Sequence, residues 1–326
     1  MQPGTIFTST TAKNFENQAL TIFQYQYTNN TVYQRYCNLL GKSKYNTKKL
    51  VDIPFLPISF FKSEQVISGI NNPKITFSSS GTTGTTTSKH YVADPRFYLQ
   101  SFTKGFEKNY GAMEDYIFLA LLPSYLEREG SSLIYMVDHF IKQSRHKESG
   151  YFLYNLDKLA STLDQVAQQN KQVILIGVTF ALLDFATQFP TRLSDNIIVM
   201  ETGGMKGKRK EITRHEVHKF LKKQLGITKV HSEYGMTELL SQAYSKGNGI
   251  FTCPPWMKVL IRDPKDPLAF LPPGKTGGIN VIDLANVHSC SFIGTQDLGK
   301  MNIDGNFEVL GRFDHSDIRG CNLMSL

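Results

Sequence analysis

From Ile117 onward the apolar positions alternate between two spacings. "YIFLALLPS" is a continuous apolar run of strand length, and "SSLIYMVDHFIKQS" changes to helical spacing. "LDKLASTLDQVAQQ" sets Leu156, Leu159, Leu163 and Val166 on one helical face. "KQVILIGVTF" and "NIIVMETGG" are again short β-branched runs ending in Gly or Thr. Strands alternating with helices predict an α/β fold, a mostly parallel sheet covered by helices. Thr213 and Glu216 stand in capping-box spacing, which predicts a helix with Val217, Phe220, Leu221 and Leu225 towards the core. "VHSEYG" (Val230–Gly235) reads as the next strand and turn.

The two ends of the chain follow other patterns. The first 75 residues are helical in character and rich in Tyr and Phe. Two prolines and an aromatic cluster in "VDIPFLPISFFKSE" (Val51–Glu64) predict an extended, packed segment. Beyond the Val230 strand the pattern becomes one of hairpins. "PPGKTGGINVIDL" and "GKMNIDGNFEVLGR" carry Gly277-Gly278 and Asp304-Gly305 between alternating residues, and both pairs are expected to be turns. A small antiparallel β subdomain is therefore predicted near the C-terminus. The expected organisation is an adenylating α/β body over 1–310, with its β-rich part at 250–310, and a hinge-like tail over 311–326.

Composition narrows the class. The chain has 326 residues, 40% hydrophobic and 20% charged, enough to bury a core without disulfides. No apolar run reaches membrane-spanning length, and the N-terminus lacks a signal pattern, so a cytoplasmic protein without a membrane span is expected. Cys37, Cys253, Cys290 and Cys321 show no metal-type spacing and are read as reduced thiols, the first three in or near the core. The net charge is 36 − 28 = +8, much of it in "MKGKRKEITRHEVHKFLKK" (Met205–Lys223). Without a nucleic-acid motif that stretch reads as a solvated helix face or a phosphate site, and no nucleic-acid partner is expected. An oligomer is compatible with this composition.

Candidate chemistry lies in the loops. In "FSSSGTTGTTTSKHY" (Phe77–Tyr91) eleven of fifteen residues are Ser, Thr or Gly. A backbone free of large side chains turns several N–H groups towards one anion, with hydroxyl donors and Lys89 nearby. The spacing is not that of a GTPase P-loop. "EYGMTE" (Glu233–Glu238) places Thr237 and Glu238 beside a tight Tyr234-Gly235 turn, suiting a nucleotide phosphate and Mg²⁺. "METGGMKG" ends a strand in Gly203-Gly204, where a flat ring would lie on bare backbone. Asp297 in "TQDLG" and Arg312 in "GRFDHSDIRG" offer an acceptor and a fixed donor to ribose or phosphate.

These motifs, in this order from about Phe77 to Gly320, resemble the adenylate-forming superfamily of acyl-CoA ligases, peptide-synthetase adenylation domains and firefly-type luciferases. The resemblance implies that Ser79, Ser80, Gly81, Thr82, Thr83 and Gly84 grip the β- and γ-phosphates of ATP. It assigns Thr237 and Glu238 to phosphate and Mg²⁺, with Tyr234 in the same nucleotide-binding turn. It sets Gly203 and Gly204 at the adenine, and Asp297 and Arg312 at the ribose. The implied first step joins a carboxylate to the α-phosphorus of ATP, giving acyl-AMP and pyrophosphate.

Two departures stand out. The Pro-Lys that usually follows the loop is absent, and Lys89 lies two positions further on. The mobile C-terminal domain that follows the "GR.D" hinge elsewhere in the superfamily, with its lysine, is expected to be missing. "LPSYLEREGSSLIYMV" (Leu122–Val137) and the ending "LGRFDHSDIRGCNLMSL" resemble one branch, the acyl-protein synthetases of the bacterial bioluminescence fatty-acid reductase. In that branch the activated acyl group moves to a C-terminal cysteine, which here matches Cys321, and then to an acyl reductase. Cys321 lies nine residues after Arg312, and an arm of that length spans roughly 30 Å. Arg319 and His315 would favour its thiolate. The alternatives are transfer to coenzyme A or a carrier-protein thiol, with an acyltransferase as partner, and a non-catalytic nucleotide-binding subunit. His139 and His231 read as structural, with His231 also a candidate for an acyl pocket. Glu127-Arg128-Glu129 suits either a lid or a solvated turn.

Overall fold

The computed structural model describes residues 3–7, 11–69, 72–79, 87–123, 130–169, 171–203 and 213–313. Its centre is a six-stranded sheet. Strands Tyr116–Leu121, Gln172–Val178, Ile197–Thr202 and His231–Tyr234 run parallel in that order. Gly150–Tyr151 extends one edge in parallel, and Ala243–Ser245 closes the other antiparallel. The apolar runs are strands because both faces are covered: every residue of Tyr116–Leu121 is buried. Helices Ser132–Ser144, Leu156–Ala167, Thr179–Gln188 and Arg214–Leu225 supply that cover.

The capping box forms as expected. Thr213 Oγ1 accepts from Glu216 N–H at 3.3 Å, and Glu216 Oε2 accepts from Thr213 N–H at 2.7 Å. Of the predicted face, Val217, Leu221 and Leu225 are buried, while Phe220 packs against the core only partly buried. His218 takes an interior place that the apolar pattern did not show.

The second sheet is antiparallel. Ile250–Phe251, Phe307–Arg312, Phe292–Met301, Thr276–Asp283 and Met257–Arg262 follow one another across it. Leu56–Pro57, from the predicted extended segment, pairs in parallel with Ile293 and Gly294. Asp304-Gly305 is a turn as expected, with Gly305 at φ +80°. Gly277-Gly278 is not. The pair lies inside strand Thr276–Asp283, and the reversal comes earlier, at Pro272–Gly274, where Gly274 has φ +83°. A Cβ on Gly277 would overlap the Arg262 carbonyl, and one on Gly278 its guanidinium. These glycines permit close approach across the ladder, not chain reversal.

One hydrophobic cluster runs through both sheets and the N-terminal helices Ala12–Asn29 and Thr31–Leu39. The segment Asp283–Ser291 is its polar hub. Gln26 Nε2 donates to the carbonyls of Asn286 and Val287 at 2.9 and 3.0 Å, and Asn30 Nδ2 donates to that of Ser289 at 3.0 Å. Asp283, from the antiparallel sheet, accepts from the N–H groups of Leu240 and Ser241, which follow the Thr237-Glu238 pair. Among the described residues no helix is long and apolar enough to cross a membrane.

Candidate active site

A two-stranded ribbon, Ile75–Ser78 against Lys89–Val92, leads into and out of the Ser/Thr/Gly loop. At its end Ser79 N–H donates to Ser88 O, and Ser88 N–H donates to Ser79 Oγ, both at 3.0 Å. Gly130 steadies the ribbon from the side, its carbonyl accepting from Ser78 N–H at 2.8 Å. Strand alternation turns Ser88 and His90 inward and leaves Lys89 exposed on the opposite face. Ser80, Gly81, Thr82, Thr83 and Gly84 lie outside the described residues.

The next motif meets this ribbon at the carboxyl end of the parallel strands. Such ends are where open α/β sheets bind ligands. Tyr234 ends its strand, and its hydroxyl donates to Asp297 Oδ2 at 2.8 Å. Arg312 sits directly across the antiparallel ladder from Asp297 and donates from Nε to Oδ1 at 3.3 Å. Its side chain is 76% exposed, so most of the guanidinium fork faces outward. The expected turn at Tyr234-Gly235 instead forms at Thr237-Glu238, where Leu239 N–H donates to the Met236 carbonyl at 3.1 Å, and a Cβ on Gly235 would overlap the Glu233 carboxylate. Glu238 is buried. Burial pushes its carboxyl above the ordinary glutamate value, while the Ser88 hydroxyl and the Arg312 charge pull the other way. Thr237 is half-buried, and its carbonyl faces His90 Nδ1 at 2.8 Å. The structure thus brings together Ser88, Tyr234, Glu238, Asp297 and Arg312, drawn from the ribbon and both sheets.

The strand beside Tyr234 ends at Thr202, and Gly203 follows it, exposed at φ +66° and accepting from the Thr179 hydroxyl at 2.7 Å. Gly204 lies outside the described residues. Behind Gly203 is a network that sequence reading missed. Glu201 Oε1 accepts from Arg214 Nε at 2.9 Å and faces His218 Nε2 at 3.5 Å, and Thr179 donates to Oε2 at 3.2 Å. Arg214 also donates to the Val309 carbonyl and stacks over Phe251. Burial alone would raise the Glu201 carboxyl; the hydrogen bond from His218 and the charge of Arg214 reverse this and leave it low. The available signal was a glutamate inside an apolar β-branched run, which demands a buried partner. Next to it the Thr202 hydroxyl donates to the Glu233 carboxylate, tying two site strands together.

The remaining candidates separate by position. Part of the basic stretch turns inward instead of forming a solvated face, because Arg214 and His218 serve Glu201. His231 begins the strand that Tyr234 ends. It pairs with the Tyr110 hydroxyl at 3.1 Å, and burial followed by the charges of Lys246 and Lys229 lowers its pKa to about 4. His139 is partly buried against Phe102. Cys37 and Cys290 are buried and Cys253 is intermediate; all three are free thiols. Burial raises Cys37 and Cys253 to about 12 and also raises Cys290, which makes them poor nucleophiles. Cys321, His315, Arg319 and Glu127-Arg128-Glu129 lie outside the described residues. Among the described residues no group of three or more His, Cys, Asp or Glu side chains is placed to cage a metal ion.

Comparison with known proteins supplies the wider setting. The profile of a family described as acyl-protein synthetase, LuxE, matches residues 130–325, more than half of the chain. The long-chain-fatty-acid–luciferin-component ligase of Vibrio harveyi is 22% identical over 337 aligned positions, covering 92% of this chain and 84% of that protein. Among solved structures, an open conformation of 2-hydroxyisobutyryl-CoA ligase with 2-HIB-AMP and CoA aligns at a TM-score of 0.71 and 13% identity, over 93% of this chain and 75% of that one. ATP-bound MatB from Rhodopseudomonas palustris aligns at a TM-score of 0.55 and 18% identity, over 73% of this chain. The chain spans about half the length of MatB, 47%. At these identities the structures establish a shared fold.

Proposed function

The chain belongs to the acyl-protein synthetase LuxE family and is a ligase of that type; from that premise we propose that it activates a fatty acid with ATP as acyl-AMP and then carries the acyl group on Cys321. The observation that carries this reading is the meeting of Ser88, Tyr234, Glu238, Asp297 and Arg312 at the carboxyl end of the parallel sheet.

Each group has a part that its placement suits. Asp297 accepts from Tyr234 and Arg312, which fixes its carboxylate to receive ribose hydroxyls, and the exposed part of the Arg312 fork is free to donate. Gly203 presents bare backbone to the adenine. The loop 80–86, held at its base by Ser79 and Ser88, receives the outer phosphates. Glu238 suits Mg²⁺: a buried carboxylate whose ionised form is disfavoured gains from a hard cation beside it. Mg²⁺ bound through one carboxylate and phosphate oxygens would supply positive charge to the triphosphate.

In the first step a carboxylate oxygen of the fatty acid attacks the α-phosphorus and the bond to the β-phosphate oxygen breaks. Acyl-AMP forms and pyrophosphate leaves. In the second, the Cys321 thiolate attacks the acyl carbonyl and AMP leaves as its anion, so a thioester replaces the mixed anhydride. The thiol proton passes to solvent. A fatty-acid reductase is the proposed acceptor of the acyl group.

The test uses the full chain with ATP, Mg²⁺ and a radiolabelled long-chain fatty acid, with and without coenzyme A. Label on the protein that hydroxylamine releases, and that is lost in Cys321→Ser, is the expected result. Label on coenzyme A alone overturns the second step. No acyl-AMP and no pyrophosphate from any fatty acid overturns both.

A further inference from the structure

Thr237 and Glu238 are held from behind by two fully buried side chains that no sequence motif marked. His90 Nδ1 lies 2.8 Å from the Thr237 carbonyl. Asn286 Nδ2 donates to the next carbonyl, that of Glu238, at 2.7 Å, and to that of Cys290 at 3.2 Å. These contacts settle both assignments. A carbonyl only accepts, so His90 Nδ1 carries the proton and Nε2 presents a lone pair. The amide nitrogen of Asn286 serves two carbonyls, so Oδ1 is its free acceptor. Both His90 Nε2 and Asn286 Oδ1 are buried with no partner in the protein, as is His288 Nδ1.

His90, Asn286 and His288 line one small cavity of about 10 Å³, together with Leu240, Phe97 and Ser289 among others. That volume is the room one water needs, about 10–15 Å³, and buried waters make two to four hydrogen bonds. A lone pair on His90, another on Asn286 and, in the tautomer protonated at Nδ1, an N–H on His288 suit one molecule with two donors and an acceptor.

We infer that this cavity binds a single water, which donates to His90 Nε2 and Asn286 Oδ1 and accepts from His288 Nδ1. The water joins the two side chains that grip consecutive carbonyls, so the ribbon, the Asp283–Ser291 hub and the Thr237-Glu238 pair move as one unit. His90 and Asn286 are then positioning residues for adenylation, an assignment that rests on the reading of Thr237 and Glu238 given above. The phosphate loop, carried by the ribbon, is thereby kept in register with the carboxylate that holds the cation.

A crystal structure of the full chain at water-resolving quality tests the site directly. One ordered water within about 2.7–3.2 Å of His90 Nε2 and Asn286 Oδ1 is expected. A metal ion there, or no density, overturns the inference. Two substitutions then divide the contacts of the ring. His90→Asn keeps a donor where Nδ1 stands, hence the Thr237 contact, and loses the arm that meets the water. His90→Gln keeps an acceptor where Nε2 stands and loses Thr237. In fatty-acid-dependent ATP–pyrophosphate exchange, each is expected to lower kcat about tenfold and to raise the Mg²⁺ needed for half-maximal rate, with KM for the fatty acid unchanged. Wild-type kcat in folded His90→Asn removes the water from the brace, and a change confined to KM removes the positioning role. Should both variants fail to fold, the crystallographic result decides. If the wild type shows no exchange with any fatty acid, the reading of Thr237 and Glu238 falls, while the water stands or falls by the density.

Discussion

Glu201 and Asp283 are both buried carboxylates, 3% and 0% exposed, and they titrate in opposite directions. Asp283 collects four hydrogen bonds: Leu240 N–H at 2.8 Å, Ser241 N–H at 2.9 Å, Ala285 N–H at 3.0 Å and the Ser241 hydroxyl at 2.6 Å. All four donors are neutral, and burial still raises its pKa from 3.8 to about 6. Glu201 takes hydroxyl hydrogen bonds from Thr179 and Ser232 but also faces Arg214 and His218, and its carboxyl stays low. Dipoles satisfy a buried carboxylate, whereas a cation keeps it ionised. Glu201, behind Gly203, is paired as a permanent charge; Asp283, in the seam between sheets, sits near its titration point.

The most severe way to break the contrast is to remove the cation. Arg214→Met leaves Glu201 buried with only neutral groups and His218, and should cost about 4 kcal/mol of unfolding free energy in urea titrations. A cost near that of a surface pair would mean that Glu201 is held by dipoles after all.

The next effect is a pH dependence of stability. Asp283 holds its proton more tightly folded than unfolded, because its folded pKa of about 6 lies above 3.8. Its stabilising contribution is therefore complete below 3.8 and is lost as pH rises through about 6, amounting to about 3 kcal/mol. Glu201 runs the other way: its contribution is present above the unfolded value and lost as pH falls through its lowered folded value. Subtracting the pH profile of Asp283→Asn from that of the wild type isolates the first term, and a flat difference would dissolve the comparison.

Two smaller changes sharpen it. Ser241→Ala removes the shortest neutral donor to Asp283 and should cost about 1.5 kcal/mol while raising the Asp283 pKa further, read by thermal unfolding at two pH values. Thr179→Val removes the hydroxyl from both Glu201 and Gly203 and should cost about 1 kcal/mol with little change in pH dependence, because the cations remain.

The parallel sheet was legible because its strands Tyr116–Leu121, Gln172–Val178 and Ile197–Thr202 are largely buried and appear as apolar runs. The helix at Arg214 was legible because Thr213 and Glu216 cap it locally. Gly277-Gly278 misled because a glycine pair looks alike whether it frees the backbone to turn or clears space for Arg262. At the site, Tyr234, Glu238, Asp297 and Arg312 could be named from short motifs, although Asp297 proves to lie in mid-strand. His90, Asn286 and Asp283 could not, because each acquires meaning only from a partner distant in sequence, whereas Glu201 was marked by its place in an apolar run and meets Arg214 13 positions on. His90 meets Thr237 across 147 positions, and Asn286 meets Glu238 across 48.

Those separations also bear on how the chain comes to be made. Gln26 reaches its partners in Asn286 and Ser291 across 260 and 265 positions. At roughly 5–20 residues per second on the ribosome, the first helices wait about 13–50 s for the segment that completes their packing. During that interval the faces of Phe15, Ala19, Ile22 and Phe23, all buried in the finished fold, have no native cover from that segment. Slow, non-local closure of this kind favours chaperone capture of the nascent N-terminus and penalises fast translation. Expression at reduced temperature, or with a trigger-type holdase, should therefore raise the folded yield more than any single substitution in the hub.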